Sequence, residues 1–162
     1  MTIKEFKMQL ALGTLSIDVK MKLTDNKNTS KKIFKILSED EDWCIRQRVA
    51  YNPSTPPEIL RQLSTDKEME VVYHAALNPS TPLEILQQLS TNENKYFRGC
   101  IAKNPSTPPE ILQQLSTDED YEVRKNVAEN PNTPSKALQQ LSTDEYEWTR
   151  QSAISNLNTS LD

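Results

Sequence analysis

The chain has 162 residues, a net charge of −4, ten prolines, two glycines and two cysteines. That length supports a real core within one domain, and the negative charge advertises no bulk attraction to nucleic acid. No apolar run is long enough to span a bilayer, and two cysteines make no disulfide framework, so a soluble cytoplasmic protein without a membrane partner is expected.

The charge is uneven along the chain. Residues 1–37 hold eight Lys/Arg and three Asp/Glu, whereas the remainder holds eleven and twenty. Near the start, the apolar stretch around Met8–Leu12 is too short and poorly flanked for a signal peptide. "TIKEFKMQLAL" spaces Ile3, Phe6 and Leu10 as a helical stripe. It reads as a cap over the repeats that follow, which a solenoid needs.

From there one period governs the chain. "NPSTPPEILRQLSTD" at 52–66 returns at 78–92, at 104–118 and, more loosely, at 130–144. Leu37, Leu63, Leu89, Leu115 and Leu141 are spaced by 26, as are Asn52, Asn78, Asn104, Asn130 and Asn156. A fixed period of this size signals a solenoid. Full units fall at 38–63, 64–89, 90–115 and 116–141, with a partial unit at 142–162. "NKNTSKKIFKILS" sits in the same register, so 12–37 is a degenerate first copy. The organisation expected is a cap and degenerate repeat over 1–37 and four full repeats plus a partial one over 38–162, in one continuous domain.

Each unit reads as two short helices with no strand pattern. In "YEVRKNVAEN", Val123, Val127 and Ala128 fall on one side, and the Asn-Pro step that follows ends the helix. The second helix is expected to start at Thr55 as N-cap, with Pro56 at the first helical position and Glu58 completing a capping box. Ile59, Leu60 and Leu63 give it an apolar face. Helices of about ten residues are marginal alone, so stacking must stabilise them. The fold class is all-α, a superhelical solenoid of two-helix repeats with no β-sheet.

The pattern V-R-x-x-V-A-x-N-P-x-T-P-x-x-x-L-x-x-L, carried in one unit by Val123, Arg124, Val127, Ala128, Asn130, Pro131, Thr133, Pro134, Leu138 and Leu141, resembles the leucine-rich repeat variant family. The match recurs in register over about 38–156. The resemblance implies an α solenoid in which one helix of each pair can be 3₁₀. Some members carry a cysteine-rich iron–sulfur module ahead of the repeats; no cysteine cluster occurs here. The family has no agreed activity, so the resemblance implies the fold and little about function.

The copies differ mainly in their first helices. One exposed column runs Gln47, Tyr73, Gly99, Lys125, Gln151; the next Arg48, His74, Cys100, Asn126, Ser152; a third Tyr51, Leu77, Lys103, Glu129, Ser155. All eight aromatics after residue 37 lie in this half of the unit. Tyr and Trp bring large contact area at low entropy cost to interfaces. Trp43, Tyr51, Tyr73, Leu77, Lys103, Tyr121 and Trp148 are therefore candidates for a partner-binding stripe. The competing reading has Trp43, Tyr96, Tyr121 and Trp148 packing against the neighbouring repeat.

A further column holds Arg46, Arg98, Arg124 and Arg150, with Val72 as the exception. It is either a row facing phosphates or a structural ladder onto the repeated Asp40, Asp66, Asp118 and Asp144, with Asn92 in register. The asparagine column is read as structural, each amide satisfying turn backbone from one unit to the next.

No catalytic constellation emerges. The single histidine, His74, has no partner nucleophile or carboxylate at a set spacing. Cys44 and Cys100 lie two units apart, about 20 Å at ordinary helix spacing, too far for a disulfide. There is no Gly-rich phosphate loop, and acidic runs such as Glu39–Asp42 lack the features of a calcium loop. No enzyme activity and no cofactor or metal is implied.

The leading reading is a non-enzymatic repeat scaffold presenting its first-helix face to a protein. The alternatives are a nucleic-acid-binding repeat that uses the Arg column and the basic start (Lys20, Lys22, Lys27, Lys31, Lys32, Lys35), and a spacer within a larger assembly. The last unit lacks a second helix after "NLNTSLD". Its apolar end needs further chain, a second subunit in end-to-end association, or a fold-back of the final residues as a cap.

Overall fold

Every Asn-Pro step in the repeats breaks the chain into helices too short to stand alone. The computed structural model, which describes residues 1–159, contains twelve α-helices and no strand among the described residues. They fall into two compact units, Met1–Pro82 and Leu83–Asp162.

The first unit comprises α1 (Ile3–Ala11), α2 (Ile17–Asp25), α3 (Lys31–Leu37), α4 (Trp43–Tyr51), α5 (Pro57–Leu63) and α6 (Met69–Leu77). The α2–α3 pair falls in the register of the later helix pairs. The α1 stripe meets it through Phe6, which is fully buried in one cluster with Ile33, Phe34, Leu37, Ile45 and Leu60. Ile3 packs at its edge, while Leu10 is exposed. Burying such side chains contributes about 1.5–3 kcal/mol each, which short helices need because nucleation is costly.

The second unit comprises α7 (Leu83–Ser90), α8 (Lys95–Lys103), α9 (Pro109–Leu115), α10 (Tyr121–Glu129), α11 (Ser135–Leu141) and α12 (Glu147–Thr159). Ile101, Leu112, Val123, Val127, Leu138 and Leu141 form its buried face. Both helices of each pair are α-helical, so the 3₁₀ option is not taken; i→i+3 bonds such as Ile59 N to Pro56 O occur at helix ends.

One local expectation needs correction. Thr55 does not cap α5. Its hydroxyl turns inward and donates to Val49 O in the last turn of α4, as Thr107 does to Ile101 O and Thr133 to Val127 O. A buried hydroxyl satisfies the orphan carbonyls of the preceding helix rather than the amides of the next. Pro56, Pro108 and Pro134 occupy the N-cap positions with no side-chain cap. In the degenerate copy, Ser30 replaces that proline and does cap α3. Helix α12 is longer than the other first helices. It runs through Asn156 to Thr159, because Leu157 stands where proline ends the earlier first helices. A fold-back cap would involve 160–162, which lie outside the described residues.

The asparagine column joins successive repeats. Within the first unit, Asn78 Nδ2 donates to Ala50 O (2.7 Å) and Asn52 O (2.8 Å). Within the second, Asn130 Nδ2 donates to Ala102 O (2.7 Å) and Asn104 O (3.0 Å), and Asn156 repeats the pattern onto Ala128 and Asn130. The Oδ1 of Asn78 and that of Asn130 take a turn amide two residues on, Ser80 N and Asn132 N. The amide is thus fully used by backbone.

Candidate functional site: an aromatic groove in the first unit

The inward positions of α4 and α6 are Ile45, Val49, Ala50 and Val71, Ala75, Ala76. Helical spacing then turns Tyr51, Tyr73, His74 and Leu77 away from the core, Tyr51 and Leu77 at the last positions of α4 and α6 and Tyr73 and His74 in the middle of α6. These four side chains line a groove of about 670 Å³. Pro53 and Pro79 also line it. The Tyr51 and Tyr73 rings both stand edge-on to His74, with centroids 5.5 and 5.2 Å away and interplanar angles of 88°. Tyr51 is 69% exposed and Tyr73 40%.

Asp25 and Lys27 complete the rim. Asp25 accepts two hydrogen bonds from Arg48 Nη1, at 2.9 and 3.1 Å. Lys27, exposed, has no ion pair or hydrogen bond among the described residues, nor do the Tyr51 and Tyr73 hydroxyls or the His74 ring nitrogens. Burial pushes the His74 imidazole below its ordinary value, so the ring is neutral at pH 7.

The second unit holds the register equivalent of this groove, three periods later. Glu129, Gln151, Ser152 and Ser155 line a space of about 460 Å³ beside Pro131 and Asn156. These positions correspond to Tyr51, Tyr73, His74, Leu77, Pro53 and Asn78. The polar set engages itself, with Ser152 Oγ donating to Glu129 Oε1 at 3.4 Å. The scaffold therefore builds a smaller concavity in the same register with no apolar side chain at the four variable positions.

Of the seven stripe candidates, the first-unit groove gathers Tyr51, Tyr73 and Leu77. Trp43 begins α4 while Tyr51 ends it, about 12 Å along the axis at 1.5 Å per residue. In the second unit, Lys103 is exposed at the end of α8, and Trp148 is exposed near the start of α12. Tyr121 stacks on Tyr146 of the next repeat, with centroids 4.5 Å apart and planes 22° apart, and the Arg124 guanidinium lies 5.6 Å from the Tyr146 ring. His74 belongs to the groove although a lone histidine carried no signal. Finding it required knowing that the Tyr51 column of one repeat abuts the His74 column of the next.

The arginine column is engaged internally. Arg46 grips Asp66 with Nε at 2.7 Å and Nη2 at 2.9 Å, while Nη1 donates to Asp40 O and Glu41 O. Arg98 with Asp118 and Arg124 with Asp144 repeat this arrangement. All three arginines are more than nine-tenths buried. Arg150, less buried, donates to Asp144 O and Glu145 O. Lys20 occupies the same register and binds Asp40 at 2.6 Å, so it is the first rung and not part of a free basic surface. Lys22, Lys31 and Lys32 of the basic start are exposed.

Burial pushes the Cys100 thiol up to about 12 and also raises Cys44, so neither offers a thiolate near neutrality. Among the described residues, no three His, Cys, Asp or Glu side chains are grouped to hold a metal ion, and no helix is long and apolar enough to cross a membrane.

Comparison with known proteins bears on the scaffold that carries this groove. No curated protein matches the chain. A solved leucine-rich repeat variant, described as having a novel repetitive structural motif, superposes with a TM-score of 0.66 at 18% identity, over 93% of this chain and 60% of that one. An engineered protein superposes with a TM-score of 0.51 at 19% identity, over 96% of this chain and 57% of that one. At these identities the likeness concerns the fold, and the chain spans about three-fifths of either neighbour. The matching family models describe repeat domains, with no enzyme family among them. The leucine-rich repeat variant domain model matches residues 72–129 and the leucine-rich repeat variant model matches 43–68 and 121–145. With the Asn spine, the Arg–Asp rungs and the helix pairs in that same register, the chain belongs to the leucine-rich repeat variant family.

Proposed function

We propose that this repeat scaffold is a non-catalytic binding module that engages a protein partner through the first-unit groove of Tyr51, Tyr73, His74 and Leu77. The observation that carries this reading is the internal comparison. A smaller concavity in the same register is made with Glu129, Gln151, Ser152 and Ser155 in the second unit, so repeat packing does not require exposed aromatics there. Exposed apolar clusters rimmed by polar groups mark interaction surfaces. Tyr121 has a packing role beside Tyr146, which leaves Trp43, Lys103 and Trp148 outside the proposed site.

The nucleic-acid reading has less to draw on, since Arg46, Arg98 and Arg124 are already committed to carboxylates. The test grafts the second unit's set onto the first: Tyr51→Glu, Tyr73→Gln, His74→Ser and Leu77→Ser. The register makes this variant compatible with the fold, which circular dichroism checks. Proteins captured by the wild type and confirmed with purified components are expected to be lost by the graft. Equal capture by a folded graft refutes the groove as the site.

A further inference from the structure

The groove's unsatisfied groups define what would fill it. Two tyrosine hydroxyls and a neutral imidazole carry no hydrogen bond among the described residues. They sit beside apolar surface from Leu77, Pro53 and Pro79. A bound helix offers no free backbone carbonyls along its body, because its own amides occupy them. An extended or polyproline-type segment has no internal hydrogen bonds and presents carbonyls at every turn, a chemistry that aromatic-lined grooves use. The electrostatics add a sign. Arg48 neutralises Asp25, His74 is uncharged, and Lys27 is the rim ion without an ion partner among the described residues. Charge complementarity therefore selects an anionic neighbour.

We infer that the groove binds an extended acidic peptide segment, with a proline or leucine side chain against Tyr51, Tyr73 and Leu77, backbone carbonyls accepting from the tyrosine hydroxyls and His74, and a carboxylate meeting Lys27. This inference rests on the groove being the partner site. It goes beyond that reading by naming the partner's backbone form, side-chain class and charge.

The probes are three short synthetic peptides: alternating Pro-Leu ending in two glutamates, the same ending in two lysines, and a serine-substituted glutamate version. Titration of the full chain by calorimetry, with amide and ring shifts followed by NMR, reads binding and location. The glutamate peptide is expected to bind one site per chain and shift the Tyr51, Tyr73, His74 and Leu77 signals. At low salt its Kd should be about five-fold lower than the lysine peptide's, the scale of one exposed ion pair. Lys27→Ser should erase that preference, and the serine peptide should not bind. The reciprocal graft, Glu129→Tyr, Gln151→Tyr, Ser152→His and Ser155→Leu, should add a second site per chain.

Absence of glutamate-peptide binding, or a preference that survives Lys27→Ser, overturns the inference. If partner capture is still lost in the polar graft, that failure leaves the groove as the partner site. If capture survives the graft, the groove reading itself fails.

Discussion

Replacing Asn130 with alanine tests whether the asparagine column joins the repeats. Asn130 is buried, and its side chain makes three hydrogen bonds: to Ala102 O at 2.7 Å, to Asn104 O at 3.0 Å and from Asn132 N at 2.9 Å. Alanine leaves the Ala102 carbonyl and the Asn132 amide without these partners, while Asn104 O keeps its bond from Thr107 N at 3.1 Å. At about 1 kcal/mol for each deprived group, the loss is about 2 kcal/mol. Asn132, two residues on, supplies the control. Its Nδ2 also donates to the preceding repeat, to Pro105 O at 2.6 Å, but the bond is exposed and water replaces it. Asn132→Ala should cost about 0.5 kcal/mol. Urea denaturation followed by circular dichroism gives both values. Hydrogen exchange localises the loss, because repeat arrays need not unfold in one step. The reasoning fails if Asn130→Ala costs no more than Asn132→Ala.

Other outcomes follow from the same packing. Thr149 is fully buried and its hydroxyl has no partner among the described residues, whereas its register equivalents are Ile45, Val71, Phe97 and Val123. Thr149→Val should stabilise by about 1 kcal/mol, read as a higher melting temperature; a lower one refutes the assignment. The hydrogen bonds from Arg46 hold the Asp66 carboxyl below its ordinary range. A carboxylate with a depressed folded pKa contributes stability above the ordinary value of about 4 and loses it as pH falls through the folded one. Asp66→Asn should therefore flatten the fall in urea midpoint below about pH 4, and an unchanged acid limb counts against the rung.

The period of 26 alone set the helix pairs, their apolar faces and the asparagine and arginine registers, because each copy must present the same groups to the next. The degenerate copy obeyed the same rule: Lys20 falls in the arginine column and meets Asp40 as Arg46 meets Asp66. Capping was not legible. A Thr-Pro-Pro-Glu string fits an N-cap, but Thr55 can also reach back six residues, and only the buried geometry favours the carbonyl of Val49. Nor was the groove legible as a unit. Tyr51 and His74 are 23 positions apart, short of one full period, so no single column contains both. Local sequence states what each repeat carries outward. Which of those side chains meet depends on how consecutive helices are offset when they pack, and the tertiary structure decides that.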